Sequence, residues 1–157
     1  LGQARLNCSG SARYLDHLDD YNFNEGQQTF MNDLPDTTLK ESPRDFMTNN
    51  SFRQDYWAKG ARKGPFEDLL ESIREENINL VINSSDIPME LACMRGEASL
   101  NKGIYTLLLD FLDDNEFQSI GDVITHTECK EMLLPQLLEC LFTLIHRKNI
   151  FSQKEPI

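Results

Sequence analysis

Five side chains capable of nucleophilic or metal chemistry stand in the second half of the chain: Cys93, His126, Cys129, Cys140 and His146. The spacing of His126-Thr-Glu-Cys129 is short enough to chelate one ion, but a tetrahedral zinc site needs two more ligands converging on it. Cys140 and His146 do not supply them as a pair. Six positions along a helix turn two side chains about 120° apart and separate them by roughly 9 Å along the axis. Cys93, His126 and Cys129 are then what remains for a metal-dependent or Cys/His-based enzyme or regulator. Nothing around them supports that chemistry. No CxxC pair occurs, and no strained nucleophile turn or glycine-rich oxyanion loop flanks a cysteine. Nucleotide-binding glycine signatures are also absent. Asp110, Asp113, Asp114 and Glu116 cluster in a way that suits acid–base or cation chemistry. They lack the alternating pattern of a calcium loop, and read as a solvated acidic turn. The expectation is a chain with no catalytic, metal-binding or cofactor-binding residue.

The charge balance narrows the partners. The chain has 157 residues, 26 acidic against 15 basic, for a net charge of -11. Nucleic-acid affinity comes mainly from Lys and Arg neutralising phosphates, and anionic membranes attract the same residues. Neither is expected to bind here. A protein with a basic surface is the electrostatically favoured partner. Four cysteines without a disulfide-like spacing fit free thiols and an intracellular location. No apolar run reaches the length of a membrane span. The chain opens on Leu rather than Met, as expected of a fragment or processed product.

Two regions must position whatever the chain does. Residues 1–60 are rich in Asn, Asp, Thr, Ser and Pro, with large residues dotted singly among them. They read as a polar, aromatic-studded extended arm, mostly non-regular, with a short helix over residues 12–20 capped by Ser11. Isolated anchors alternating with acids are what a segment needs to dock into separate pockets. Tyr21, Phe23, Phe30, Trp57 and Phe66 are the expected contact residues. Residues 59–64 read as a hinge.

Residues 61–157 read as a helical domain. Pro65 starts a first helix over residues 65–77, with Phe66, Leu69, Leu70 and Ile73 on one stripe. Residues 78–82 alternate like a strand but also continue that stripe, and the helical reading is preferred. A second helix is expected over residues 88–95, ended by Gly96. A third is expected over residues 102–114, capped by Asn101. A fourth follows over residues 115–120, capped by Asn115 and closed by Gly121. Thr125 and Glu128 resemble a capping box that starts the last helix near Thr127. That helix is apolar on most of its circumference and reads as the domain's central rod, with Gln136, Glu139, Thr143, His146 and Arg147 on a polar arc. Pro135 predicts a kink, or a true start near Leu134.

The Leu-rich helices and acidic turns of "LLLDFLDDNEFQSI" and "LLPQLLECLFTLIHRKNI" resemble armadillo and HEAT hairpins in texture, without a fixed period. The expected fold is therefore all-α, a small irregular helical bundle with an extended N-terminal arm. The expected function is a non-enzymatic protein–protein interaction or adaptor module, using the aromatic arm and a helical groove. A terminal piece of a larger helical scaffold is the other structural reading.

Overall fold

The computed structural model of the protein describes residues 6–35, 37–60, 64–113, 116–126, 129 and 132–153. Among the described residues the fold is mixed α/β, 50% helical and 21% strand, with three small antiparallel sheets. This overturns the all-α bundle, its armadillo-like hairpins and the non-regular arm. The chain divides into two compact units. One is Leu1–Ala61 with Glu90–Ser99, and the other is Arg62–Met89 with Leu100–Ile157.

In the first unit, strand β1 (Leu6–Ser11) pairs antiparallel with β2 (Asp55–Lys59), from Leu6 opposite Lys59 to Ser11 opposite Asp55. The register shifts between Cys8 and Gly10. Gly10 sits at φ 137, and a Cβ there would lie 3.2 Å from the His17 ring. Only glycine fits this bulge without a shift. Between the strands run a 3-10 turn (Tyr14–His17), α1 (Asp19–Asn22), α2 (Glu25–Asp33) and α3 (Thr37–Met47). The helix expected over residues 12–20 is split, because Ser11 closes β1 and donates its hydroxyl to Asp16 at 2.7 Å instead of capping. Asn24 and Gln27 form a reciprocal capping box at the start of α2. Leu15, Phe23 and Met31 are buried, and the buried Asn22 amide donates to the carbonyls of Leu15 and Leu18. A sparse set of anchors suffices because polar side chains satisfy the backbone around them.

Two arginines decide how α3 lies. Arg44 Nη1 donates to Asp19 at 2.8 Å and to the Asp16 carbonyl at 2.7 Å, and its guanidinium stacks 5.0 Å over the Phe23 ring. Arg53 meets three carboxylates, Glu41 at 2.7 Å, Asp45 at 3.3 Å and Asp55 at 2.8 Å. It joins α3 to β2. Burial alone would lower the Arg53 pKa, but the Asp55 hydrogen bond and the charges of Glu41, Asp45 and Asp55 raise it well above its ordinary value.

Residues 88–95 are not a helix. Strands β4 (Glu90–Cys93) and β5 (Gly96–Ser99) form a hairpin, Glu90 opposite Ser99 and Cys93 opposite Gly96. Leu91 is buried while Ala92 is exposed, an alternation of period two. Gly96, at φ 107, makes the turn rather than a helix end. Arg95 donates to the Asp20 carbonyl at 3.1 Å.

The second unit holds α4 (Phe66–Arg74), β3 (Asn77–Leu80), α5 (Lys102–Leu112), β6 (Gln118–Ser119), α6 (Ile120–Thr125), α7 (Leu134–His146) and β7 (Ile150–Gln153). The sheet order is β6-β3-β7, all antiparallel. The helical stripe preferred for residues 78–82 loses to the alternation: Ile78 and Leu80 are buried, with Asn77 and Asn79 only half-buried. Asn101 does cap α5, accepting from the Ile104 amide. The helix expected over residues 115–120 gives way to β6, and Ser119, not Asn115, caps the following α6. Thr125 falls inside α6, and α7 starts at Leu134 with Pro135 in its first turn, so no kink is required. Asn115, Thr127, Glu128 and hinge residues 61–63 lie outside the described residues. Leu137, Cys140, Leu141 and Leu144 of α7 are buried. Thr143 is fully buried as well, not part of a polar arc.

Replacing Arg53 by Met leaves Glu41, Asp45 and Asp55 facing one another without their shared cation. Urea unfolding is expected to show a loss of about 1–3 kcal/mol, and Glu41→Gln a smaller one.

Candidate functional site

The polar face of α3 points inward. Glu41, Arg44 and Asp45 are held in part-buried ion pairs, and they share one side of the helix wheel. Leu39 and Phe46, seven residues apart, occupy the other side with Pro43 between them. Leu39 is 57% exposed and Phe46 is 87% exposed. Phe52, in the segment that leads to β2, is 89% exposed, and Tyr56 and Trp57 on β2 are also largely open. A helix with three of its four charged residues in part-buried ion pairs and Leu39 and Phe46 outside reverses the ordinary pattern of a surface helix.

The residues singled out from sequence fall in different places. Phe30 on α2 and Trp57 on β2 are exposed. Phe66 is exposed at the start of α4, in the second unit. Tyr21 is half-buried. Phe23 has no exposed surface and serves as the platform for Arg44. Leu39, Phe46, Phe52 and Tyr56 lie outside that set, the last three being among the large residues dotted along the arm. Their signal was the seven-residue spacing of Leu39 and Phe46 opposite Glu41, Arg44 and Asp45, masked by Pro43 and a polar composition.

In the second unit, the apolar stripe of α4 is incompletely covered. Phe66 and Leu69 are exposed, while Leu70 and Ile73 border a cavity of about 110 Å³ closed by Val123, Ile124, Leu134 and Leu137. Gly121 lets α6 approach α4 closely, since a Cβ there would lie 3.3 Å from the Arg74 carbonyl. A wider polar cleft of about 330 Å³, lined in part by Ser84, Ser85, Lys102, Thr106 and Asp110, is open to solvent.

The thiols differ in their access to solvent. Cys8 is exposed, Cys93 half-buried, and Cys129 and Cys140 buried, and none of the four is in a disulfide. The Cys129 thiol lies 3.6 Å from the Leu107 carbonyl. Burial first, then the charge of Glu139, pushes the Cys140 thiol up to about 12. Its neighbour Tyr105 is raised by burial too, with the Thr143 hydroxyl pulling the other way. A nucleophile or metal ligand must be the thiolate, and Cys140 stays protonated. The His126 ring packs against Phe111, centroids 4.6 Å apart. Among the described residues no group of three His, Cys, Asp or Glu side chains is arranged to hold a metal ion. Of the sequence candidates, Cys93 lies on β4 in the first unit, and His126 and Cys129 lie in the second. Among the described residues no helix is long and apolar enough to cross a membrane.

A family model described as a predicted methyltransferase regulatory domain matches residues 1–59. The match ends on the last residue of β2, the strand that closes the first unit against β1. An uncharacterized protein of Synechocystis sp. is 26% identical over 144 residues, which cover 92% of this chain and 28% of that protein. The chain therefore spans under a third of the length of this curated relative. No solved structure matches.

The buried thiol sets an alkaline limit on stability. The folded Cys140 ionises near 12 and an unperturbed thiol at 9.0. Its contribution is complete below pH 9 and is lost as pH rises toward 12, where the unfolded chain releases a proton that the folded chain retains. Thermal melts across this range are expected to fall more steeply for the wild type than for Cys140→Ala. A colorimetric thiol reagent at pH 8 is expected to modify Cys8 fastest and Cys140 only on unfolding.

Proposed function

We propose that the chain is a non-catalytic regulatory module that acts by binding protein, and that its partner is a methyltransferase catalytic segment, in the same polypeptide or a separate one. The observation that carries this reading is the reversed α3, which commits Glu41, Arg44 and Asp45 to part-buried ion pairs and presents Leu39 and Phe46 to solvent. Exposed large residues grouped this way mark interaction surfaces. Phe52, Tyr56 and the expected contacts Phe30 and Trp57 add aromatic surface within the same unit, and aromatic residues dominate binding energy at interfaces. The family description matched by residues 1–59 supplies the regulatory role. The relative of Synechocystis sp. is more than three times as long as the matched region, room enough for a catalytic segment in one chain.

Acidity favours a basic patch on the partner, which would speed association and set orientation. Four cysteines outside any disulfide fit an intracellular setting. Phe66, in the second unit, belongs to the separate apolar stripe of α4.

The test is capture of the tagged chain with mass-spectrometric identification of what it holds, followed by a methylation assay with and without the chain. A methyltransferase is expected to be recovered, with its rate altered by the chain. Phe46→Asp, at an exposed position, should reduce recovery about tenfold while circular dichroism stays unchanged. Equal recovery with Phe46→Asp, or no change in methylation rate, would sink the reading.

A further inference from the structure

We infer that the groove between α4 and the helices α6 and α7 receives an amphipathic helix of a partner protein, bearing a Leu-sized anchor flanked by Lys or Arg. This rests on the protein-binding reading and names the chemistry of a second contact, in the other unit. The stripe of α4 runs Phe66, Leu69, Leu70, Ile73, the i, i+3, i+4, i+7 set that makes one helical face. Its C-terminal part is roofed by Val123, Ile124 and Leu134 and holds the cavity. Its N-terminal part, Phe66 and Leu69, is open at 62% and 54% exposure. Leu133, at the foot of α7, is 65% exposed as well. The apolar stripe thus continues from a roofed pocket onto open surface, as in helix-in-groove recognition.

Volume decides what enters. Drug-sized ligands occupy sites of about 300–1,000 Å³, and a cavity of about 150 Å³ takes a benzene ring. At about 110 Å³, this cavity suits one branched aliphatic side chain.

Charge decides who brings it. Along residues 67–76, Glu67, Asp68, Glu71, Glu75 and Glu76 face a single cation, Arg74. On the helix wheel Arg74, which also lines the cavity, borders the apolar stripe, with Glu67 beside it and Glu71 farther round toward the opposite face, both exposed. The second unit as a whole carries 8 basic and 15 acidic residues. A second copy of this chain would bring like charge to the same rim, which is destabilising. The chain's own basic run, residues 59–63, has no apolar residue larger than alanine to serve as an anchor. A basic amphipathic segment of another protein satisfies both the pocket and the rim.

The probe is a fluorescein-labelled peptide of about 16 residues, with Leu at helical i, i+3, i+4 and i+7 spacing and Lys elsewhere. Its anisotropy is titrated with the full 157-residue chain. Two controls are a scrambled peptide of the same composition and one with Glu in place of Lys. Saturable binding that weakens with salt is expected for the first peptide alone. Leu69→Asp should weaken it about tenfold, and the double variant Glu67→Lys with Glu71→Lys several-fold. Should Leu69→Asp lose its circular dichroism signal, Phe66→Asp provides the same test at a more exposed position. Three outcomes would overturn the proposal: undiminished binding by the folded variant, equal binding of the scrambled peptide, or a dimer in light scattering that Leu69→Asp dissolves. Phe46→Asp should leave peptide binding unchanged, so failure here is separable from failure of the α3 surface.

Discussion

Arg53 is the constraint on which the first unit turns. One guanidinium, mostly withdrawn from solvent, gathers Glu41 and Asp45 from α3 and Asp55 from β2. Arg44 adds a second tie from the same face of α3 to α1 and to the ring of Phe23. Charges that would ordinarily solvate the outside of a helix are instead its inner contacts. Breaking such a pair strands a partly desolvated charge, so the arrangement is held in one orientation even where its net stabilisation is modest. The consequence lies on the opposite side: Leu39 and Phe46 have nowhere to go but outward. The candidate surface is therefore a product of the ion pairs beneath it.

The two units use different physics. The first spaces a few large anchors among polar groups that bond locally, as Asn22 does with the carbonyls of Leu15 and Leu18. The second packs aliphatic side chains from α5 and α7, with a small polar cluster of Tyr105, Thr143 and Cys140 enclosed among them. In that setting a thiol behaves as a small apolar group with a weak donor. The protonated state of Cys140 follows from the same burial that makes α7 the rod of the unit.

The first unit is also the region that the family description matches. Residues 1–59 run to the end of β2, and β2 is the strand whose pairing with β1 brackets α1, α2 and α3. Pairing the two ends of a segment makes it one structural piece, because the ladder hydrogen bonds form only when both ends are present. The β4–β5 hairpin, distant in sequence, groups with this piece rather than with the helices on either side of it.

Sequence alone determined what is local. The Asn101 cap of α5, the apolar stripe of α4 and the apolar character of α7 depend on neighbours within a turn or two, and spacing reveals them. Net acidity was legible for the same reason, whereas of the five contact residues expected Phe30, Trp57 and Phe66 are exposed, Tyr21 is half-buried and Phe23 is buried. Tertiary structure decided whatever depends on distant partners. Residues 77–80 became a strand because Ser119 and Gln153 stand ready to pair with Asn77. Residues 90–99 became a hairpin because the positive φ of Gly96 permits a turn and Cys93 pairs across it. Phe23 went inside and Phe46 outside because Arg44, Arg53 and their carboxylates converge from separate elements. A sequence records which charges exist, but the face they claim is set only when the elements carrying them meet.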